Sequence, residues 1–487
     1  AMERDVGRRV AGAAKWSIAA ETAAKLATMG VNMVLARLVA PEAYGVLTTA
    51  LMVTSFADLF TDAGFQKYLI QHEFLGSDDR LDDAANVAFW SNLGFSLLLW
   101  LAVTLLRNPI AALAGSPGYG LVVAVACAQL PVTALTSIQL ALLRRSLDFR
   151  RLFFVRMAQC LTPLLVTVPL ALIGLSHWAL VAGTIASHLA TAVVLLFSAR
   201  WRPRWFYRLA VLKSMLSFSV WTLLESVTIW LCSWFDLFVI GSAFSGYALG
   251  LYKNAINSAN GLLALITAAI PTVLFSGLSR LQNDDAAFHR LYLSVQRAMA
   301  FLVFPMGTGL LLYSDLATGV LLGSGWAEAA PIVGLWAFST ALMAIGSWPG
   351  SEVFRAKGQP RLSLLAQAIS LALSIPICLS AVPHGFDAVV RAAVVSRFTL
   401  LIAVWVLLRV RFSFSIRDML TNLWKPALCT ALMAGFSLLL RQLGSGALWD
   451  WLSIGLCALL YALLLLLIAR EDVRLAFQML LRRRDAA

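Results

Sequence analysis

Long apolar runs, separated by short polar connections, dominate this chain from end to end. Read for spans, the pattern predicts membrane helices at 13–37, 44–66, 86–106, 120–143, 152–174, 178–199, 214–240, 247–275, 291–313, 327–354, 362–382, 386–408, 426–441 and 448–469. Each is long enough, or nearly so, for a hydrocarbon core of about 30 Å at about 1.5 Å per residue. The thirteenth is the shortest. The expectation is an all-α polytopic membrane protein with about 14 transmembrane helices. The basic stretch from Arg470 to Arg484 reads as an amphipathic helix lying on the membrane surface.

The loops orient these spans. With the N-terminus in the cytoplasm, the even-numbered spans end there. The loops that follow them hold Arg144, Arg145, Arg150 and Arg151, then Arg200, Arg202, Arg204 and Arg208, then Arg355, Lys357 and Arg361, then Arg409, Arg411 and Arg417. The C-terminal tail adds Arg482, Arg483 and Arg484. The opposite loops hold only Arg37, Arg107 and Arg441, each at a helix end. This alternation is the positive-inside pattern, and it places both termini in the cytoplasm of a multi-pass bacterial inner-membrane protein. Tryptophans at span ends, among them Trp178, Trp201, Trp205, Trp424 and Trp449, suit the headgroup layer. The N-terminal segment shows no cleavable signal, so the first span is expected to direct insertion.

Composition agrees. Of 487 residues, 60% are hydrophobic and only 13% charged, where a soluble domain carries roughly a quarter charged. The net charge of +13 sits in short clusters between apolar runs, which excludes a nucleic-acid groove as its explanation. The six cysteines lie singly within apolar stretches, so disulfides and metal sites are not expected. No phosphate loop, zinc-protease or nucleophile-elbow motif is present, and no cofactor is expected. The short loops also leave no room for the large external acceptor domain of a membrane-embedded glycan polymerase or ligase.

The chemistry must therefore lie within the helices, where ionisable side chains cost several kcal/mol unless they meet water or a partner. The cations are Lys25, Lys253, Arg297, Arg391 and Arg397; together they suit an anion such as a diphosphate. The acids are Glu21, Asp58, Asp62, Glu225 and Asp236. They serve either to couple transport to a proton or sodium gradient or to balance the cations. Glu21 and Lys25 stand four apart on one helical face, as do Asp58 and Asp62. Asp62 and Arg297 can reach the cytoplasmic interface and Lys253 and Arg391 the outer one, whereas Asp58, Glu225 and Arg397 are central. His188, midway along the sixth span, reads as a packing residue.

Several segments resemble a known family. They are Leu35-Ala-Arg-Leu-Val-Ala-Pro-Glu-Ala-Tyr-Gly45, Asp62-Ala-Gly-Phe-Gln-Lys-Tyr-Leu-Ile-Gln71, Asp236-Leu-Phe-Val-Ile-Gly241, Ala248-Leu-Gly-Leu-Tyr252, Leu278-Ser-Arg-Leu-Gln282 and Leu322-Gly-Ser-Gly-Trp326. In this order and spacing they are similar to the Wzx-type polysaccharide and O-antigen flippases, the polysaccharide-transporter branch of the multidrug/oligosaccharidyl-lipid/polysaccharide flippase superfamily. The resemblance covers roughly residues 10–360. It implies two pseudo-symmetric six-helix lobes around a central cavity, at 1–205 and 206–411, with two further helices and a basic tail at 412–487. A faint internal repeat, Ala43-Tyr-Gly-Val-Leu47 against Ala248-Leu-Gly-Leu-Tyr252, accords with it.

The resemblance also implies a substrate and its partners. The substrate is a polyprenyl-diphosphate-linked oligosaccharide, flipped outward by alternating access, with a polysaccharide polymerase and chain-length machinery downstream. Arg37, which lies in a matched segment, joins Lys25, Lys253, Arg297, Arg391 and Arg397 as the cations expected to hold the diphosphate. A cation-coupled multidrug antiporter of the same superfamily, a membrane-embedded glycan polymerase or ligase, and the flippase for the peptidoglycan precursor are the alternatives. The orientation is directly testable: a reporter active only in the cytoplasm, fused at Arg204 or Arg411, is expected to be active, and one fused at Pro117 silent. The reverse pattern would overturn the assigned topology.

Overall fold

The computed structural model describes residues 23–62, 65–71, 81–146, 148–198, 201–267 and 270–470, and these are helical almost throughout. The helices are α1 (23–38), α2 (Pro41–Asp62), α3 (Phe65–Gln71), α4 (Leu81–Leu105), α5 (Arg107–Leu113), α6 (Gly120–Ala126), α7 (Gln129–Arg145), α8 (Phe149–Leu172), α9 (Ser176–Ser198) and α10 (Leu209–Ala243). They continue with α11 (Gly246–Thr267), α12 (Ile270–Arg280), α13 (Asp285–Leu312), α14 (Ser314–Leu321), α15 (Ala330–Gly346), α16 (Trp348–Ala356), α17 (Arg361–Ala381), α18 (Phe386–Phe412), α19 (Ile416–Thr421), α20 (Trp424–Leu443) and α21 (Ala447–Ile468). Helix is what a chain in hydrocarbon must form, because it satisfies every backbone N–H and C=O within the segment.

Among the described residues, twelve segments are long and apolar enough to cross a membrane. In order they match the expected second to seventh and ninth to fourteenth spans. The first expected span is described only from residue 23, and Arg470 to Arg484 lies outside the described residues apart from its first position. The eighth, expected at 247–275, is seen as α11 and α12. It falls outside the twelve because α11 carries Lys253, Asn254, Asn257 and Asn260 within two turns or so. Large apolar side chains stand exposed along the helices, such as Leu98, Leu101 and Leu105 on α4 and Leu459, Leu463 and Leu467 on α21. Faces of this kind need lipid, since no water-soluble surface tolerates them over such lengths.

The chain forms two compact units, Ala1–Asn254 and Ala255–Ala487. In the first, α8 packs along α9 and α4 along α7, with α2 against α4, α6 and α9. Val123, Cys127, Leu130 and Val181 form one core, and Phe65, Leu69, Phe89 and Ile138 another. In the second, α13 packs along α15, α17 along α18 and α20 along α21. Its main core joins Leu278, Phe288, Tyr292, Phe354, Leu408 and Met419. Burial makes Cys127, Cys378, Cys429 and Cys457 small packing groups, and none of the six cysteines forms a disulfide among the described residues.

The order of elements repeats. A long helix followed by a short one, α4 and α5, is answered by α13 and α14. The loops that follow turn at Gly115 and Gly323, with φ of +92° and +96°, where a side chain would be strained. A broken helix comes next in each half, α6 with α7 and then α15 with α16, followed by the pairs α8 with α9 and α17 with α18.

Within the first unit the repeat meets itself. Gly45, four residues into α2, lies against the carbonyl of Gly246, the first residue of α11. Gly250, four residues into α11, lies against the carbonyl of Pro41, the first residue of α2. Each glycine therefore occupies the same helical position and touches the equivalent carbonyl of the other helix. Only residues without Cβ permit backbones to cross this closely. The end of α10 is drawn in similarly, with Gly115 against the carbonyl of Gly241, while the Thr49 hydroxyl lies 2.8 Å from Ser116 Oγ. Gly250→Ala is expected to force the two helix starts apart and to lower stability by about 1–3 kcal/mol, the usual cost of overpacking. Thermal unfolding of the detergent-solubilised protein checks this. An unchanged midpoint would mean that the crossing is loose.

Candidate functional site

In the first unit, polar and aromatic side chains gather where α10 meets the first turns of α11. Tyr252 is fully buried, and its hydroxyl donates to Asp236 Oδ2 at 2.7 Å. The backbone N–H of Leu237 donates to Asp236 Oδ1 at 2.9 Å. The carboxylate is thereby fixed on both oxygens, close enough for its charge to act on Lys253. The Lys253 ammonium rests over the face of Trp234, 4.4 Å from the ring centroid. Among the described residues it has no hydrogen-bond partner, so its three donors are held in place by a ring and a field alone.

An aromatic row leads away from this lysine. Trp234 stacks with Trp230 at 6.3 Å, and Trp230 tilts against Phe56 of α2 at 4.8 Å. Trp230 Nε1 donates to Ser55 Oγ at 2.9 Å, which locks the indole to α2. Asp58, one turn further along α2, is half-buried, and its charge bears on the Cys127 thiol. An ammonium beside half-exposed aromatic faces can receive an anion and stack a flat or ring-shaped group next to it.

The second unit builds around Arg397 on α18. Arg397 Nη1 donates to Ser339 Oγ at 2.8 Å and to Thr340 Oγ1 at 2.9 Å, both on α15. Its guanidinium carbon lies 4.1 Å from the centroid of the Trp336 ring. Trp336 Nε1 in turn donates to Asn260 Oδ1 at 3.1 Å, and Thr340 Oγ1 donates to the same oxygen at 3.3 Å. A central arginine is thus accommodated by hydroxyls and an indole, as its position within the bilayer requires.

Arg297 has a different setting. Its Nε donates to Asn422 Oδ1 at 2.7 Å, and Asn422 Nδ2 donates to the Leu293 carbonyl at 2.7 Å and to Gln296 Oε1 at 3.2 Å. Asn422 is buried at the turn between α19 and α20, so this arginine stitches α13 to the start of the thirteenth span.

The other expected cations are differently placed. Lys25 is half-buried on α1, and Arg37 at its end is exposed, with Nη1 on the Met33 carbonyl at 2.9 Å. Arg391 is exposed near the start of α18. Glu21 lies outside the described residues, as do the side chains of Asp62 and Glu225. His188 is half-buried on α9. Of the expected site residues, the structure joins Lys253 with Asp236 and gives Arg297 and Arg397 separate sets of partners.

Sequence reasoning centred on ionisable groups passed over Trp234, Trp336, Asn260 and Asn422. Trp234 and Trp336 carried a signal all the same, since indoles in mid-span need a reason to be there. Asn422→Ala removes the acceptor of Arg297 Nε and the donor to Gln296. It is expected to lower stability by about 1–3 kcal/mol, the cost of leaving buried polar groups unmatched. Thermal unfolding in detergent reads it directly.

A model for a polysaccharide biosynthesis protein family matches residues 34–331, more than half of the chain. The succinoglycan biosynthesis transport protein ExoT of Rhizobium meliloti (strain 1021) is 27% identical over 335 residues, covering 67% of this chain and 65% of that protein, just under two thirds of its length. The lipopolysaccharide biosynthesis protein WzxC of Escherichia coli (strain K12) is 21% identical over 425 residues, 85% of this chain and 84% of that one. Among solved structures, the lipid II flippase MurJ in an inward closed conformation superposes with a TM-score of 0.76 at 15% identity, over 94% of this chain and 99% of that chain. An inward-facing multidrug resistance transporter of the MATE family gives 0.64 at 15% identity, over 80% and 94%. At such identities these two structures speak for the fold.

Proposed function

Because the chain belongs to the polysaccharide biosynthesis protein family, that of the Wzx-type polysaccharide flippases, we propose that it moves a polyprenyl-diphosphate-linked oligosaccharide repeat unit from the cytoplasmic to the periplasmic leaflet of a bacterial inner membrane. Both termini face the cytoplasm in this reading. The lobes are 1–205 and 206–411, with 412–487 as an appended pair of helices and tail. Translocation is by alternating access, and a polysaccharide polymerase and its chain-length machinery receive the product.

One observation carries the reading: the Lys253 ammonium, held over Trp234 within the membrane, has no hydrogen-bond partner among the described residues. A strongly hydrated cation kept there has a use for its unmet donors, and an anion supplies what they lack. The diphosphate of a lipid carrier is such an anion. Moving a carboxylate-sized ion into a low-dielectric medium carries an idealised cost of order 20 kcal/mol, so a wet path lined by cations lowers the barrier decisively. Lys25 and Arg37 add positive potential within the first unit, and Arg297, Arg391 and Arg397 are the corresponding candidate cations of the second. Asp236 balances Lys253 when no anion is bound, and Asp58, with Glu21, Asp62 and Glu225, offers sites for proton or sodium coupling.

Two measurements decide. Deleting the gene in its host is expected to trap complete lipid-linked repeat units on the cytoplasmic leaflet and to abolish surface polysaccharide. Units that reach the periplasm unpolymerised would move the assignment to a polymerase, and an unaltered glycan profile to a drug exporter. Complementation with Lys253→Met is expected to restore less than about a tenth of wild-type export at normal membrane levels, the loss that corresponds to about 1.4 kcal/mol in the transition state. Wild-type export in that variant would remove Lys253 from the path.

A further inference from the structure

Helix α11 has 22 residues, enough to cross the hydrocarbon core, yet its middle carries polar groups that lipid would not accept. Lys253, Asn257 and Asn260 follow one another at spacings of four and three, which places them on one face. Asn257 and Asn260 are both exposed. Uncharged amides exposed at this depth imply water rather than acyl chains in front of them.

The orientation of the Asn260 amide is fixed by its neighbours. Trp336 Nε1 can only donate, so the group 3.1 Å away that receives it must be the amide oxygen. The Thr340 hydroxyl, on a buried residue, donates to that same oxygen at 3.3 Å. The Asn260 oxygen is therefore doubly occupied, and its NH2 has no partner among the described residues. Asn257 has no partner for either end of its amide among the described residues. The face thus offers two N–H pairs and one carbonyl oxygen, on neighbouring turns and without net charge.

That combination is a poor match for phosphate, which selects cations, and for a polyprenyl chain, which offers no hydrogen bonds. It suits vicinal hydroxyls, each of which donates and accepts. We propose that Asn257 and Asn260 form the subsite for the sugar portion of the translocated headgroup, an inference that rests on the flippase reading above. The indole of Trp336, engaged by both Arg397 and Asn260, then acts as the support that keeps the Asn260 amide turned outward.

The test uses the full-length protein in proteoliposomes with two fluorescent probes: a short-chain polyprenyl diphosphate bearing a hexose disaccharide, and the same lipid with no sugar. Wild type is expected to bind the glycosylated probe more tightly. Asn257→Ala, at an exposed position with no hydrogen bond to a described residue, is expected to weaken binding of that probe about tenfold while leaving the bare diphosphate unchanged, as the loss of one or two net hydrogen bonds implies. Asn260→Ala should act in the same direction and Asn260→Gln should recover part of the loss. Lys253→Met should weaken both probes alike. Equal binding of the two probes by wild type, or equal weakening of both by Asn257→Ala, would overturn the sugar subsite and leave the flippase standing. Failure of the wild-type protein to bind or move either probe would bring down the flippase reading itself, and the subsite with it.

Discussion

The cost of a polar group in hydrocarbon governs this molecule. It forces the backbone into helices, turns leucines outward along α4 and α21, and strips charge from most of the surface. It also makes every polar residue left within a span informative. Arg397 is accommodated by Ser339, Thr340 and the Trp336 ring, and Asp236 by Tyr252 and a backbone N–H. In water such arrangements would be incidental. In a bilayer each offsets a penalty of several kcal/mol, so the arrangements are built rather than accidental.

The same solvent explains the glycine crossing. Between helices in lipid there is no hydrophobic gain from association, because acyl chains are as apolar as leucine. Close packing of the backbones and weak polar contacts must hold α2 against α11, and both need side chains that do not intrude. Gly45 and Gly250 meet that need at equivalent positions, each opposite the carbonyl that begins the other helix. A contact with that reciprocity fixes the starts of the two helices against each other.

Much of the fold was legible because hydropathy and the alternation of arginines act on whole segments. Twelve of the expected spans stand where the apolar runs placed them. The eighth is instructive: the run 247–275 reads as a span, but α11 is the helix whose asparagines carry the chemistry. Lys253, Asn257 and Asn260 were visible at helical spacing, though attention to ionisable groups alone leaves the amides out. The repeat between Ala43-Tyr-Gly-Val-Leu47 and Ala248-Leu-Gly-Leu-Tyr252 was faint in sequence and became meaningful only through the meeting of Gly45 and Gly250 with opposing carbonyls. Contacts between distant positions, such as Arg397 with Ser339 or Arg297 with Asn422, leave no local pattern and are not legible from one chain.

The distribution of hydrogen bonds, rather than the number of cations, separates structural from functional charge. Arg297 sits in a buried network with Asn422, Gln296 and the Leu293 carbonyl, which joins three helices and so has a structural task to perform. Arg397 is braced by two hydroxyls and an indole, a setting that holds a guanidinium in place. Among the described residues Lys253 has neither kind of bond. Its neighbours contribute a ring face and a nearby carboxylate, both of which stabilise positive charge without consuming a donor. A lysine whose donors meet no described acceptor is placed to make a direct contact with an anion. The carboxylate of Asp236 holds the Tyr252 hydroxyl on one oxygen and the Leu237 N–H on the other, which fixes its place beside the lysine.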